Sequence, residues 1–325
     1  MSLFSTIRRY AQALQSQSPE QVARRVRLAA AFGLYRVLAR IGLGGLIERG
    51  CDLRAGDTRV DVAFVYPDAF GEEQGGWLGA GCFCFLNELE ELGDPVEWNP
   101  AAKSLLWRFH LNYFDWAPRL AVEADGELER QVASWIRANP AGRQPAWHPY
   151  PTSLRIVNWA RSLKLLGMAS GRVSWAASLR RQAAFLESHL EVHLGGNHLI
   201  ENAFALLVAG LLFRGGAARR WERVGLALLR AELEKQVLPD GGHIERSLSY
   251  HVRVNLVCRE ALRLLAANGR ETPRELAAIH ERMSAFTAAL LHTDGNVPLF
   301  HDSQLIEPST WKRFQTLHSP LTASV

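Results

Sequence analysis

Cysteine and lysine are both scarce in this chain of 325 residues, and each scarcity excludes something. Four cysteines (Cys51, Cys82, Cys84 and Cys258) are too few to frame a chain of this length with disulfides. Cys82 and Cys84 alternate with Phe83 and Phe85, a strand-like pattern that sets both thiols on one face. With no further Cys or His beside them, buried free thiols are expected rather than a metal site. His189 and His193 stand one helical turn apart, but no Glu follows the first to make HExxH, so a solvated face is expected and no metal. Nearly all of the 37 basic residues are Arg, they face 33 acidic ones, and the net charge is only +4. Without an aromatic-studded basic motif, that excess speaks against nucleic acid and is compatible with an acidic substrate. Long apolar runs are missing too: Leu28–Leu46 is broken by Arg36 and Arg40, whereas a bilayer span takes about 20 apolar residues. The amino terminus lacks the form of a signal peptide. A cytoplasmic protein without a transmembrane segment is therefore expected, with a periplasmic site or a surface-lying amphipathic helix as the alternatives. No P-loop, GxSxG or GxGxxG stands in a strand-turn-helix setting, and no cofactor is expected. No repeat of fixed period points to a TPR- or HEAT-like array.

What is present is a helical protein. Hydrophobic residues make up 48% and charged ones 22%, as in ordinary globular chains. Residues 5–40 read as one or two helices. Glycine-punctuated, β-like runs such as Val60–Val65 follow, as far as the turn at Trp98-Asn99-Pro100. From there the apolar spacing is helical over Ser104–Trp116, after the Thr152-Ser153 pair (an expected N-cap), and over Val173–His193, Asn197–Phe213, Ala217–Leu238, Ser247–Asn268 and Pro273–His292. Short glycine turns between consecutive helices favour antiparallel hairpins, and Ala-rich Asn202–Leu212 suits the close inner packing of a toroid. His292–Ser303 reads as a turn and a strand-like run.

Two polar clusters carry the chemistry. In Gly195-Gly196-Asn197-His198, Asn197 is the expected N-cap, and an amide, an imidazole and a positive helix end together suit a carboxylate. Glu201 and Asn202 lie one turn further in. The second cluster, Asp240-Gly-Gly-His-Ile-Glu-Arg-Ser247, leads into Tyr250 and His251. Cations beside a tyrosine stabilise its phenolate, and Tyr250 has Arg246, His251 and His243 nearby, so it is a candidate proton carrier. A hydrolase using carboxylates drawn from Glu201, Asp240 and Glu245 is a weaker alternative.

Five strings resemble the heparinase II/III-type polysaccharide lyases: Trp98-Asn-Pro100, Leu106-Trp-Arg-Phe-His-Leu-Asn-Tyr-Phe-Asp115, Trp147-His-Pro-Tyr-Pro-Thr-Ser-Leu-Arg-Ile-Val-Asn-Trp159, Gly196-Asn-His-Leu-Ile-Glu-Asn-Ala203, and Asp240–Ser247 with Tyr250-His251. The resemblance runs from about Phe83 to Ser303. It implies a mainly α chain, an incomplete (α/α) toroid of antiparallel hairpins over 98–292 behind a small mixed N-terminal region (1–97). Residues 293–325 would then be the start of a truncated β-sandwich domain or a tail. It also implies β-elimination on a uronate-containing acidic polysaccharide such as heparan, alginate or a bacterial exopolysaccharide. Asn197 and His198 would neutralise the carboxylate, and Tyr250 would act as general acid and base. Arg246, His251, His243, Glu245, Arg155, His148 and Asn158 would bind substrate. These lyases take a further catalytic His from the β-sandwich, so a non-catalytic toroid that binds acidic glycan is the alternative.

Overall fold

The computed structural model describes residues 18–67, 76–79, 81–167, 172–292, 297–301 and 303. The chain is mainly helical. Two helices open it, α1 (Pro19–Arg40) and α2 (Gly45–Ala55), before the short strands β1 (Arg59–Val60), β2 (Trp77–Gly79), β3 (Cys82–Phe85) and β4 (Glu88–Glu91). Helices α3 (Leu105–Tyr113), α4 (Ala117–Glu123), α5 (Asp125–Ala138), α6 (Pro149–Leu166), α7 (Val173–Ser188) and α8 (Gly196–Leu212) follow. Strand β5 (Phe213–Arg214) leads to α9 (Gly216–Gln236), α10 (Leu248–Ala267) and α11 (Arg274–Leu290). β2, β3 and β4 form an antiparallel sheet, and β1 pairs antiparallel with β5, which ties the amino-terminal region to the helices.

The toroid's inner wall is legible from burial. Every residue of α8 from Leu199 to Leu212 is buried, as is every residue of α6 from Pro151 to Leu163, the pattern of helices covered on all sides. Outer helices such as α9 and α11 bury a single face. α8 and α9 approach so closely that Gly210 and Gly225 admit no side chain: a Cβ on Gly225 would lie 2.5 Å from Leu207 N, and one on Gly210 would lie 2.3 Å from Glu222 N. An aromatic core fills the space beneath α6, where Phe114, Trp135 and Trp159 meet edge to face at 5.2–6.2 Å between centroids.

Several local expectations are corrected. α6 is capped by His148, whose Nδ1 accepts from Tyr150 N at 3.4 Å, and the chain enters through Pro149; Thr152 and Ser153 lie inside the helix. α8 is capped by Gly195 at φ +64, a conformation open to glycine, so Asn197 sits within the first turn. Of the strand-like run Val60–Val65, only Val60 is in a strand; Asp61 turns the chain by accepting from Ala63 N and pairing with Arg214 at 2.7 Å. Phe83 and Phe85 take the buried face of β3, leaving Cys82 and Cys84 half-buried, whereas Cys51 and Cys258 are buried thiols. His189 and His193 are buried, not solvated. Val297–His301 is not a strand, and residues 5–17 of the first expected helix lie outside the described residues.

Candidate active site

The amino-terminal turns of α6, α8 and α10 bring their polar residues to one place. His198, in the first turn of α8, stacks on Tyr150 of α6 with ring centroids 4.0 Å apart. Its Nδ1 lies 3.1 Å from Oε1 of Glu191, which is fully buried. Burial lifts the Glu191 carboxyl, but the bond from His198, the charges of His198 and His148, and a bond from Asn202 Nδ2 (3.2 Å) hold it below its ordinary range. An ionised carboxylate only accepts, so Nδ1 of His198 carries the hydrogen of this bond. Asn202 fixes the turn a second time by accepting from Glu191 N at 2.9 Å, and it donates to Ser153 Oγ at 3.0 Å.

A second layer surrounds this pair. Arg253 of α10 donates from Nε to Glu201 Oε1 at 2.5 Å. Burial by itself would lower the Arg253 pKa, and the charge of Glu201 raises it. Burial pushes the hydroxyls of Tyr150 and Tyr113 upward. Asp115 is also raised by burial, opposed by the charge of Arg253. Asn158 donates to Asp115 Oδ1 (2.8 Å) and Tyr113 O (3.0 Å), so it holds the α3–α4 junction against α6. His148 packs on Phe109 with centroids 4.9 Å apart, its Nδ1 is 3.9 Å from Glu191, and burial lowers its pKa.

The loop before α10 is locked to the loop before α8. Glu245 Oε1 accepts from Asn197 N at 3.1 Å, and a Cβ on Gly196 would lie 2.6 Å from the same oxygen. The protein's own carboxylate thus occupies the positive end of α8, where a substrate carboxylate was expected. His243 Nε2 donates to Gln236 Oε1 at 3.0 Å, and Gln236 Nε2 donates to Gly196 O at 3.1 Å, completing the lock.

The structure therefore brings together Asn197, His198, Glu245, His148 and Tyr150. Tyr250 is half-buried in the first turn of α10, and Arg246 is exposed just before it at φ +55. Four expected substrate contacts are engaged inside the fold: Asn158, as described, and three more. Arg155 is fully buried under α6, where it donates to Gln182 Oε1, Asn112 O and Ala146 O and lies 4.0 Å from the Trp135 ring centroid. His251 is 1% exposed and bonds Thr287 Oγ1 (2.8 Å) and Met283 O (3.1 Å) of α11. His243 is 2% exposed and bridges the two loops. These groups make contacts inside the fold, so their reach to a ligand is indirect. Sequence reasoning missed Glu191, Tyr150 and Arg253. Glu191 stands between His189 and His193, the pair weighed only as metal ligands, and Tyr150 lies within the Trp147–Trp159 string.

A helical toroid whose inner helices gather polar side chains at their amino-terminal ends defines the class: it is the fold of the heparinase III structures. A crystal structure of heparinase III superposes with a TM-score of 0.63 at 19% identity, over 89% of this chain and 51% of that one. Heparan sulfate lyase HepC from Pedobacter heparinus gives a TM-score of 0.55 at 18% identity, over 88% and 52%. Residues 111–320 match the model of the Heparinase II/III N-terminus, and the chain belongs to that family. Among curated relatives, a heparin-sulfate lyase of Pedobacter heparinus is 25% identical over 65% of this chain and 34% of its own length. FtsZ-localized protein C of Caulobacter vibrioides is 28% identical over 67% and 38%. The chain thus spans little more than a third of these relatives and about half of the solved chains. Among the described residues, no helix is long and apolar enough to cross a membrane, and no group of three or more His, Cys, Asp or Glu is placed to hold a metal ion.

Proposed function

We propose that this protein is a polysaccharide lyase that cleaves uronate-containing acidic polysaccharide by β-elimination. The observation that carries this reading is His198, stacked on Tyr150 and oriented by the buried carboxylate of Glu191 at the mouth of α8. A uronate's C5 proton becomes removable when the adjacent carboxylate is neutralised; Asn197 and His198 supply donors for that. Tyr250 takes the C5 proton and returns a proton to O4 as the C4–O4 bond breaks, leaving a C4–C5 double bond in the product. Arg246 and His148 contact neighbouring acidic groups, and Glu245 fixes the Asn197 turn. On this reading the toroid is the unit 98–292, preceded by a mixed region (1–97) and followed by residues of a separate part (293–325).

A second reading, a toroid that binds acidic glycan without cleaving it, is favoured by one comparison: the name of the Caulobacter relative denotes localisation with FtsZ, not lyase activity. Heparan sulfate, alginate and a bacterial exopolysaccharide are the substrates to try, with unsaturated uronate followed by its ultraviolet absorbance. Tyr250→Phe is expected to lose about 10²–10⁴-fold of that rate with unchanged glycan binding. Undiminished turnover in the variant would remove Tyr250 from the mechanism. Saturable binding with no absorbance change in the parent protein would select the second reading.

A further inference from the structure

The chemistry proposed above gives no part to α1, which carries Arg24, Arg25 and Arg27 in its first turns. A cavity of about 400 Å³ opens between this helix, α2 and the carboxyl end of α7. Arg24, Arg27 and Arg54 line it, with Tyr35, Glu187, His189 and Leu190. The one carboxylate among these residues is already neutralised: Glu187 accepts from Arg220 Nε (2.6 Å) and Nη2 (2.9 Å) and from Trp221 Nε1 (3.2 Å). His189 adds no charge, since its Nδ1 donates to Phe185 O at 2.7 Å and its Nε2 accepts from the Tyr35 hydroxyl at 2.8 Å.

The guanidiniums are less committed. Arg24 pairs with Glu20 at 2.9 Å, but both side chains are at least half exposed, and such pairs are weak. Arg54 donates to Ala184 O and Cys51 Sγ, which leaves its charge uncancelled. Arg27 makes no hydrogen bond or ion pair among the described residues. Cations near the end of α7 also suit the helix dipole, which accounts for Arg54. It leaves Arg24 and Arg27 unexplained, because neither bonds a carbonyl of α7 among the described residues. Planar guanidiniums with unspent N–H groups match carboxylate and sulfate oxygens.

The cavity and the candidate active site are two sides of one turn. Leu190 lines the cavity, and the next residue, Glu191, holds His198. His193, at the end of the turn, lies within electrostatic reach of both Arg25 and His198. We propose that the Arg24–Arg27–Arg54 cavity is a second anion site, holding a sulfate or carboxylate group of an acidic saccharide chain whose reacting uronate lies against His198. It rests on the acidic-glycan reading above and gives α1 the role of a distal subsite.

The experiment is calorimetric titration with a heparan sulfate tetrasaccharide and a dodecasaccharide at fixed ionic strength, in the Tyr250→Phe background so that binding is read without turnover. The longer chain is expected to bind about tenfold tighter than the shorter, and Arg24→Ala/Arg27→Ala is expected to remove that gain while leaving tetrasaccharide affinity unchanged. Both residues lie at the protein surface, so the fold should survive. A length gain that persists in the double variant, or no gain in its parent, overturns the distal site while tetrasaccharide binding keeps the acidic-glycan reading standing. Failure of both oligosaccharides, and of alginate and exopolysaccharide chains in the same titration, to bind overturns that reading, and the subsite with it.

Discussion

Lowering the pH from 7 to about 4.5 is expected to unfold this protein or bring it close to unfolding, whatever its substrate. His189, His243 and His251 are 5%, 2% and 1% exposed, and burial pushes each of them from 6.5 down to about 4. Each is held as a neutral ring. His189 lies between Phe185 O and the Tyr35 hydroxyl and stacks on Phe185 at 3.9 Å, and His251 is inserted between α10 and α11. Because the folded pKa is the lower one, the unfolded chain binds more protons between pH 6.5 and 4. Stability is complete above that window and is lost as the pH falls through it. At roughly 1.4 kcal/mol per pKa unit, each histidine costs about 2–3 kcal/mol by pH 4.5. Three together rival the whole stability of an ordinary domain, about 5–15 kcal/mol. Urea midpoints from circular dichroism at pH 7, 6, 5 and 4.5 measure the loss. A midpoint that stays level over this range would contradict the buried, neutral state of these rings.

The second large effect is at the seam between α8 and α9. Alanine is the better helix former by about 1 kcal/mol, so Gly→Ala inside an exposed helix normally stabilises. Gly225→Ala and Gly210→Ala are expected to do the reverse, by about 1–3 kcal/mol each, because the added methyl meets backbone: Leu207 N at 2.5 Å and Ala203 O at 2.7 Å for the first, Glu222 N at 2.3 Å for the second. Backbone cannot swing aside as a side chain can, so the helices must separate along their length. Gly33→Ala on α1, where no atom lies within 4 Å of the new Cβ, is the control and should leave stability level or slightly raised. Wild-type stability in Gly225→Ala would show that the two helices are not packed backbone to backbone. Separation there would also move Asn197 and His198, so any lyase activity should fall with stability.

The helices were legible because each depends on a local pattern. The helical stretches that begin at Ser104 and Ser247 are α3 and α10, each serine serving as the cap, and the glycine turns fall between α7 and α8 and between α9 and α10. The two polar loops and most of the residues in them were visible for the same reason. The caps of α6 and α8 were misread by a few residues, but the misjudged side-chain roles depended on distant partners. Asn197 looks like a cap until Glu245, 48 residues later, takes its backbone N–H. Arg155 and His251 look like ligands for a charged sugar until Gln182 and Thr287 claim them inside the fold.

The sequence by itself determined the helical hairpins, the family strings and the two loops rich in Asn, His and Tyr, because periodicity, capping and turn chemistry act within a few residues. Which member of each loop is engaged inside the fold, as Glu245, His243 and His251 are, emerged with the tertiary structure. That outcome depends on burial and on hydrogen bonds between residues far apart in the chain, such as Glu245 accepting from Asn197 N across 48 residues.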